Sequence, residues 1–151
     1  MSSLEDYIRV LPERHQNALY WFIDNSGREI KWPKPLPDGT FLVSKAKGIY
    51  KTHWTKYALS VRESLRKYYP DKEPIIRIDG TWLYRYFQEN KDVEKRVLEY
   101  TNRGLFECNQ DKVPVGVIRQ IKAKPNPRYI IQGVALVSGW EEGYFILEGL
   151  I

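Results

Sequence analysis

Between Lys45 and Lys72 the chain carries eight basic residues, Lys45, Lys47, Lys51, Lys56, Arg62, Arg66, Lys67 and Lys72, against two acids, Glu63 and Asp71. That stretch holds a net charge of +6 while the whole chain holds +5, so the remainder is close to neutral. Tyr50, Trp54, Tyr57, Tyr68 and Tyr69 fall among the cations. Lysine and arginine meet phosphates and displace counterions, and aromatic rings stack on bases, so this mixture suits a polyanion that carries flat bases. A solvated basic face that binds nothing has the same composition, and the pattern by itself leaves both readings open.

Other chemistries lack their residues. With one cysteine, Cys108, and two histidines, His15 and His53, neither a structural zinc site nor a paired-histidine metal grip can be assembled. Asp71, Glu73, Asp92 and Glu94 are the densest acids near lysines. They lack the spacing with which carboxylates hold catalytic magnesium for phosphodiester cleavage. The expectation is a binding module without a cofactor rather than an enzyme. No apolar run approaches the roughly 20 residues of a membrane span. The first ten residues, MSSLEDYIRV, carry acids where a secretory signal has lysines, and a single cysteine forms no intrachain disulfide. A cytoplasmic protein without a membrane partner is expected.

The elements that must position these groups read as follows. At 151 residues one core is expected. Leu4 to Asn25 has a helical stripe of Leu19, Phe22 and Ile23 with His15 and Gln16 opposite, and Pro12 suits a first turn. Three prolines between Pro33 and Pro37 forbid helix and ladder alike, so Trp32 to Gly39 is an extended connector ending in a turn. This divides the chain into residues 1–37, a helix and connector packed on the main body, and residues 38–151, the main body itself. Short β-rich runs follow at Phe41–Val43, Tyr57–Val61, Pro74–Ile78, Trp82–Phe87, Val115–Ile121, Arg128–Val137 and Tyr144–Leu147. Residues 55–67 fit strand and helix spacing both, with strand preferred, and 91–110 reads as a surface helix. Seven strands predict a curved sheet or barrel. The apolar ending at Phe145 to Ile151, without a polar fray, predicts a fragment of a longer protein.

Four landmarks occur in order: Gly48-Ile49-Tyr50-Lys51, Tyr57-Ala58-Leu59-Ser60-Val61, Tyr100-Thr101-Asn102-Arg103-Gly104-Leu105, and Val113-Pro114-Val115-Gly116-Val117-Ile118-Arg119. Arg128-Tyr129, Gly133 to Val137 and Trp140 to Ile146 continue the series. Over roughly residues 40–148 the chain resembles the SRA (SET- and RING-associated, YDG) domain. The resemblance implies an α+β, PUA-like curved β-barrel of about seven strands with an N-terminal helix and one or two flanking helices. It also implies a grip on duplex DNA in which one modified cytosine, 5-methyl or 5-hydroxymethyl, turns out of the stack into a pocket. Extruding a base costs a few kcal/mol, which stacking and hydrogen bonds to its Watson–Crick edge offset.

For that pocket the resemblance implies Tyr68 or Tyr69 on one face of the base, Tyr86 on the other, and Asp71 accepting from the cytosine amino group. Trp82 and Tyr84 share the parity of Tyr86 and stand as alternates, although alternate residues of one strand are equally core. Tyr69-Pro70-Asp71 is equally a turn, and Asp79, the fallback carboxylate, sits in an Asp-Gly turn. Lys45, Ala46 and Lys47 match an intruding loop whose small residue plugs the vacated stack while the lysines take phosphates. Tyr50, Lys51, Lys56, Arg62 and Arg85 complete the expected DNA-binding set. The family's Asn-Lys-Arg finger is missing, because Gln88-Glu89-Asn90-Lys91-Asp92 runs directly into a helix. The short finger and the amino-terminal helix resemble microbial modification-dependent restriction endonucleases of the HNH type, used against phage. The implied partners are then modified duplex DNA, a nuclease domain fused after Ile151, and a second copy as a homodimer. An RNA- or modified-adenine-binding PUA/YTH-like reader and a self-contained nuclease are the alternatives.

Overall fold

Two short helices open the chain where one was expected. The computed structural model describes residues 4–45, 47–64, 74–87 and 100–150. Helix α1 spans Leu4–Ile8 and α2 spans Glu13–Asp24. Pro12 lies outside α2 as its N-cap, with φ −56° and ψ 150°. A proline disfavours helical backbone in the residue before it, so the path breaks at Arg9–Leu11 rather than running through. Gln16 bridges the break, its side-chain amide donating to the Leu11 carbonyl at 2.7 Å. His15 faces the core together with Ala18, Leu19 and Phe22, and not the opposite face the stripe predicts.

Among the described residues eight strands form one mixed sheet: β1 (Glu29–Ile30), β2 (Ile49–Lys51), β3 (Ala58–Glu63), β4 (Ile75–Ile76), β5 (Trp82–Phe87), β6 (Val115–Lys122), β7 (Arg128–Glu141) and β8 (Tyr144–Gly149). Seven of them run in the order β2-β3-β6-β7-β8-β5-β4, and β1 pairs with β7 off this path. The pairing of β3 with β6 is parallel, and the others are antiparallel. The fold is α+β, as expected, with the sheet left open rather than closed into a barrel. Strand β7 is long because it has β8 beside its second half and β1 beside Tyr129 and Ile130.

Phe41–Val43 is not a strand. Leu42 and Val43 are buried while Phe41 stands 59% exposed, and the Leu42 carbonyl accepts from the Ser60 hydroxyl rather than from a ladder. Residues 58–61 are all buried, which hides the alternation expected of a strand. Consecutive strand residues point to opposite faces, so β3 is covered on both. Helices α2 and α3 (Tyr100–Asp111) both pack on it. Helix α3 comes close because residue 104 is glycine: a Cβ there would stand 3.0 Å from the Ala58 amide nitrogen. The expected helix over 91–110 is described from Tyr100 onward. Among the described residues no helix is long and apolar enough to cross a membrane.

Candidate nucleic-acid interface

The loop before β2 is held from beneath and from the side. From β3, Arg62 reaches into it with nearly its whole fork. Its Nε and Nη2 donate to the Ser44 carbonyl at 3.3 and 3.2 Å, and Nη2 also approaches the Lys45 and Lys47 carbonyls at 3.4 and 3.3 Å. Nη1 donates to the Ser64 hydroxyl at 2.7 Å, and the guanidinium carbon lies 5.4 Å from the centroid of the Trp32 ring. A planar guanidinium suits several fixed acceptors at once in a way a lysine does not. Within the loop the Lys47 amide donates to the Ser44 hydroxyl at 3.1 Å. The Lys45 and Lys47 side chains stand exposed on this anchored frame.

Beneath the loop lies β5. Trp82, Tyr84 and Tyr86 point the same way and are 2%, 1% and 5% exposed, whereas Arg85 on the opposite parity is exposed. The Tyr86 hydroxyl packs so tightly on Gly48 that a Cβ at residue 48 would fall 1.9 Å from it. Tyr84 lies beneath the Arg119 guanidinium, whose carbon is 5.8 Å from the ring centroid, and burial with the nearby Glu63 carboxylate pushes its phenol pKa upward. Trp82 packs against Gly149 at the far end of the strand. Of the three, Tyr86 is the one the structure brings to the Lys45–Lys47 loop.

The remaining cations divide. The Lys51 ammonium donates to the Thr52 carbonyl at 2.6 Å, to the Thr55 carbonyl and to the Tyr100 hydroxyl at 3.1 Å, and lies over the Tyr100 ring. Lys56 pairs with Glu107 at 3.2 Å and Asp111 at 3.1 Å on α3. Those carboxylates raise the Lys56 pKa, and Asp111 is held below the usual carboxylate range by the Tyr57 hydroxyl and Lys56. Both lysines therefore tie the 51–57 segment to α3. Tyr50 is half-buried, its hydroxyl pKa raised by burial. Asp79 accepts from the Thr81 amide at 3.0 Å and the Thr81 hydroxyl at 2.6 Å, closing its own turn, which lowers its pKa. Ala46, Tyr68, Tyr69 and Asp71 lie outside the described residues.

Arg62, expected among the DNA contacts, also holds the loop and Trp32, thirty positions away and marked by no local pattern. Arg62→Ala is expected to lower stability by about 2 kcal/mol, the order of hydrogen bonds from a charged donor. Amide exchange should quicken at Lys47 and Gly48 before the rest of the sheet, and Arg62→Lys should not restore it. Unchanged exchange at those amides in Arg62→Ala would show that the guanidinium does not order the loop.

No protein-family profile matches the chain, and no curated protein does. Solved structures do. KRYPTONITE in complex with mCHH DNA, H3(1-15) peptide and SAH aligns over 83% of this chain at 19% identity, with a TM-score of 0.54. The SRA domain of SUVH5 in complex with fully methylated CG DNA aligns over 83% of this chain and 88% of its own, at 24% identity and a TM-score of 0.52. The chain spans 32% of the KRYPTONITE chain. The chain has the SRA fold.

Proposed function

We propose that this chain binds duplex DNA carrying a modified cytosine and turns that base out of the helix, a reading supported by structural neighbours that were solved on methylated DNA. The observation that carries this reading is the loop before β2. In a fold whose solved examples include SUVH5 and KRYPTONITE on methylated DNA, Arg62 presents Lys45 and Lys47 on a frame fixed by hydrogen bonds to three carbonyls. A preformed loop enters a duplex without first losing its own conformational freedom. Its lysines meet phosphates on either side while Ala46, between them, occupies the gap in the stack.

In this reading Tyr68 or Tyr69 stacks on the extruded base and Asp71 accepts from its N4 amino group. Tyr86 ties the loop to β5, the strand assigned to the second side of the pocket, and Lys51 and Lys56 keep the loop's neighbours against α3. The carboxylate favours a cytosine edge over methylated adenine in RNA. The short finger and amino-terminal helix resemble the targeting half of a microbial HNH-type restriction nuclease. The chain would then direct a fused nuclease, acting singly or as a dimer, to 5-methylcytosine or 5-hydroxymethylcytosine in invading DNA.

Binding of duplexes identical except for one cytosine, unmodified, methylated or hydroxymethylated, tests this. The modified duplexes are expected to bind about fourfold more tightly, burial of the added carbon at cytosine C5 being worth about 0.8 kcal/mol. Asp71→Ala should erase that preference. Lys45→Ala and Lys47→Ala should weaken every duplex alike and each reduce the salt slope by about one. Affinity that falls with salt but ignores the modification would reduce the chain to a polyanion grip.

A further inference from the structure

On the other flank of the Arg62-anchored loop the proline-rich connector and residues 41–45 enclose a groove of about 580 Å³, a size that takes one nucleotide. Trp32, Pro35, Phe41 and Tyr50 line it, and among the described residues of its lining the charged ones are Lys34 and Lys45, both exposed, with no carboxylate. Its aromatic wall is preset. Trp32 is held by the Arg62 guanidinium at 5.4 Å and by a T-shaped contact with Tyr129 at 5.4 Å between centroids. Phe41 stands 59% exposed at the rim although Leu42 and Val43 beside it are buried, so its ring is directed away from the core that its neighbours fill.

We infer that this groove is a second nucleic-acid site, which takes one unpaired nucleotide by stacking its base in the aromatic trough with its phosphate between Lys34 and Lys45. Two observations select this occupant over a proline-rich peptide, which an aromatic and proline wall also fits. The charge among the described lining residues is wholly cationic, and Lys45 belongs at once to the groove and to the loop proposed to enter the duplex. A strand whose backbone follows Lys45 is carried across the mouth of the groove. Base stacking on aromatic rings tolerates any base, so the site is indifferent to sequence and to cytosine modification.

The inference goes beyond the modified-cytosine reading and is tested apart from it, with a labelled, unmodified oligothymidine followed by fluorescence anisotropy on the full chain. The oligothymidine is expected to bind, and Phe41→Ala to weaken it about tenfold. Lys34→Ala should weaken it about threefold and flatten its salt dependence. Both side chains are exposed, so the variants keep the fold, and their affinity for a fully paired modified duplex should stay within about twofold. Oligothymidine that does not bind, or binds equally to both variants, overturns the site, as does a proline-rich peptide bound there in its stead. Loss of discrimination between modified and unmodified duplexes, with this pattern intact, would instead overturn the pocket reading and leave the groove standing.

Discussion

Gly48→Ala is expected to destabilise the fold by about 2–3 kcal/mol, and adding Tyr86→Phe to return most of that loss. A Cβ at residue 48 would stand 1.9 Å from the Tyr86 hydroxyl oxygen, 3.2 Å from Cζ of the same ring and 3.1 Å from the Arg62 carbonyl oxygen. The loop cannot simply lift away, because the Gly48 carbonyl accepts from the Arg62 amide at 2.6 Å and the Arg62 side chain holds the carbonyls before it. Removing the hydroxyl leaves the ring carbon as the nearest part of that side chain, a contact that small shifts relieve. Urea unfolding of the two single variants and the double variant gives the coupling directly. Additive effects, or an alanine tolerated without loss, would show that the loop is not seated on Tyr86.

The second large effect comes from the amino-terminal helices and is a dependence on pH. His15 is fully buried, neither ring nitrogen has a hydrogen-bond partner among the described residues, and burial lowers its pKa from 6.5 to about 4. The ring makes a T-shaped contact with Trp54 at 5.8 Å between centroids, and the Arg14 guanidinium lies over the same indole at 4.7 Å. Above the unfolded pKa of 6.5 both states are neutral and His15 has no effect on the pH dependence. As pH falls from 6.5 towards 4 the unfolded chain takes up a proton that the folded chain refuses, so stability declines, by about 3 kcal/mol in full. Stability measured across that window should therefore slope downward in the parent chain. In His15→Phe the slope due to this residue should vanish, while stability at neutral pH is kept or raised because two unpartnered nitrogens leave the core. An equal slope in His15→Phe would mean that His15 is protonated in the fold.

How far the sequence could be read depended on whether a signal was local. Proline chemistry is local: the connector's prolines led correctly to an extended path and a turn, closed at Thr40 by Asp38, whose carboxylate accepts from the Thr40 amide at 2.9 Å. The alternation of Trp82, Tyr84 and Tyr86 is local too, and β5 has the bounds it implied. Strand β1 is two residues long and exists because β7 offers it a free side at Tyr129 and Ile130, a pairing about a hundred positions distant. Phe41–Val43 has strand composition but is held by Ser60 instead. In the basic stretch, charge counting treated eight cations as one surface. Lys51 and Lys56 have partners on α3 that no count within the stretch can supply, and Arg62 serves the loop.

In the proposed binding mode a single modified cytosine leaves its duplex on binding to this chain. A duplex carrying fluorescent 2-aminopurine beside the modified cytosine measures this most directly, because the probe brightens when its neighbour no longer stacks on it. A several-fold rise in fluorescence is expected on saturation with protein, absent from the unmodified duplex bound to the same degree. Saturated binding of the modified duplex with no change in fluorescence would contradict it.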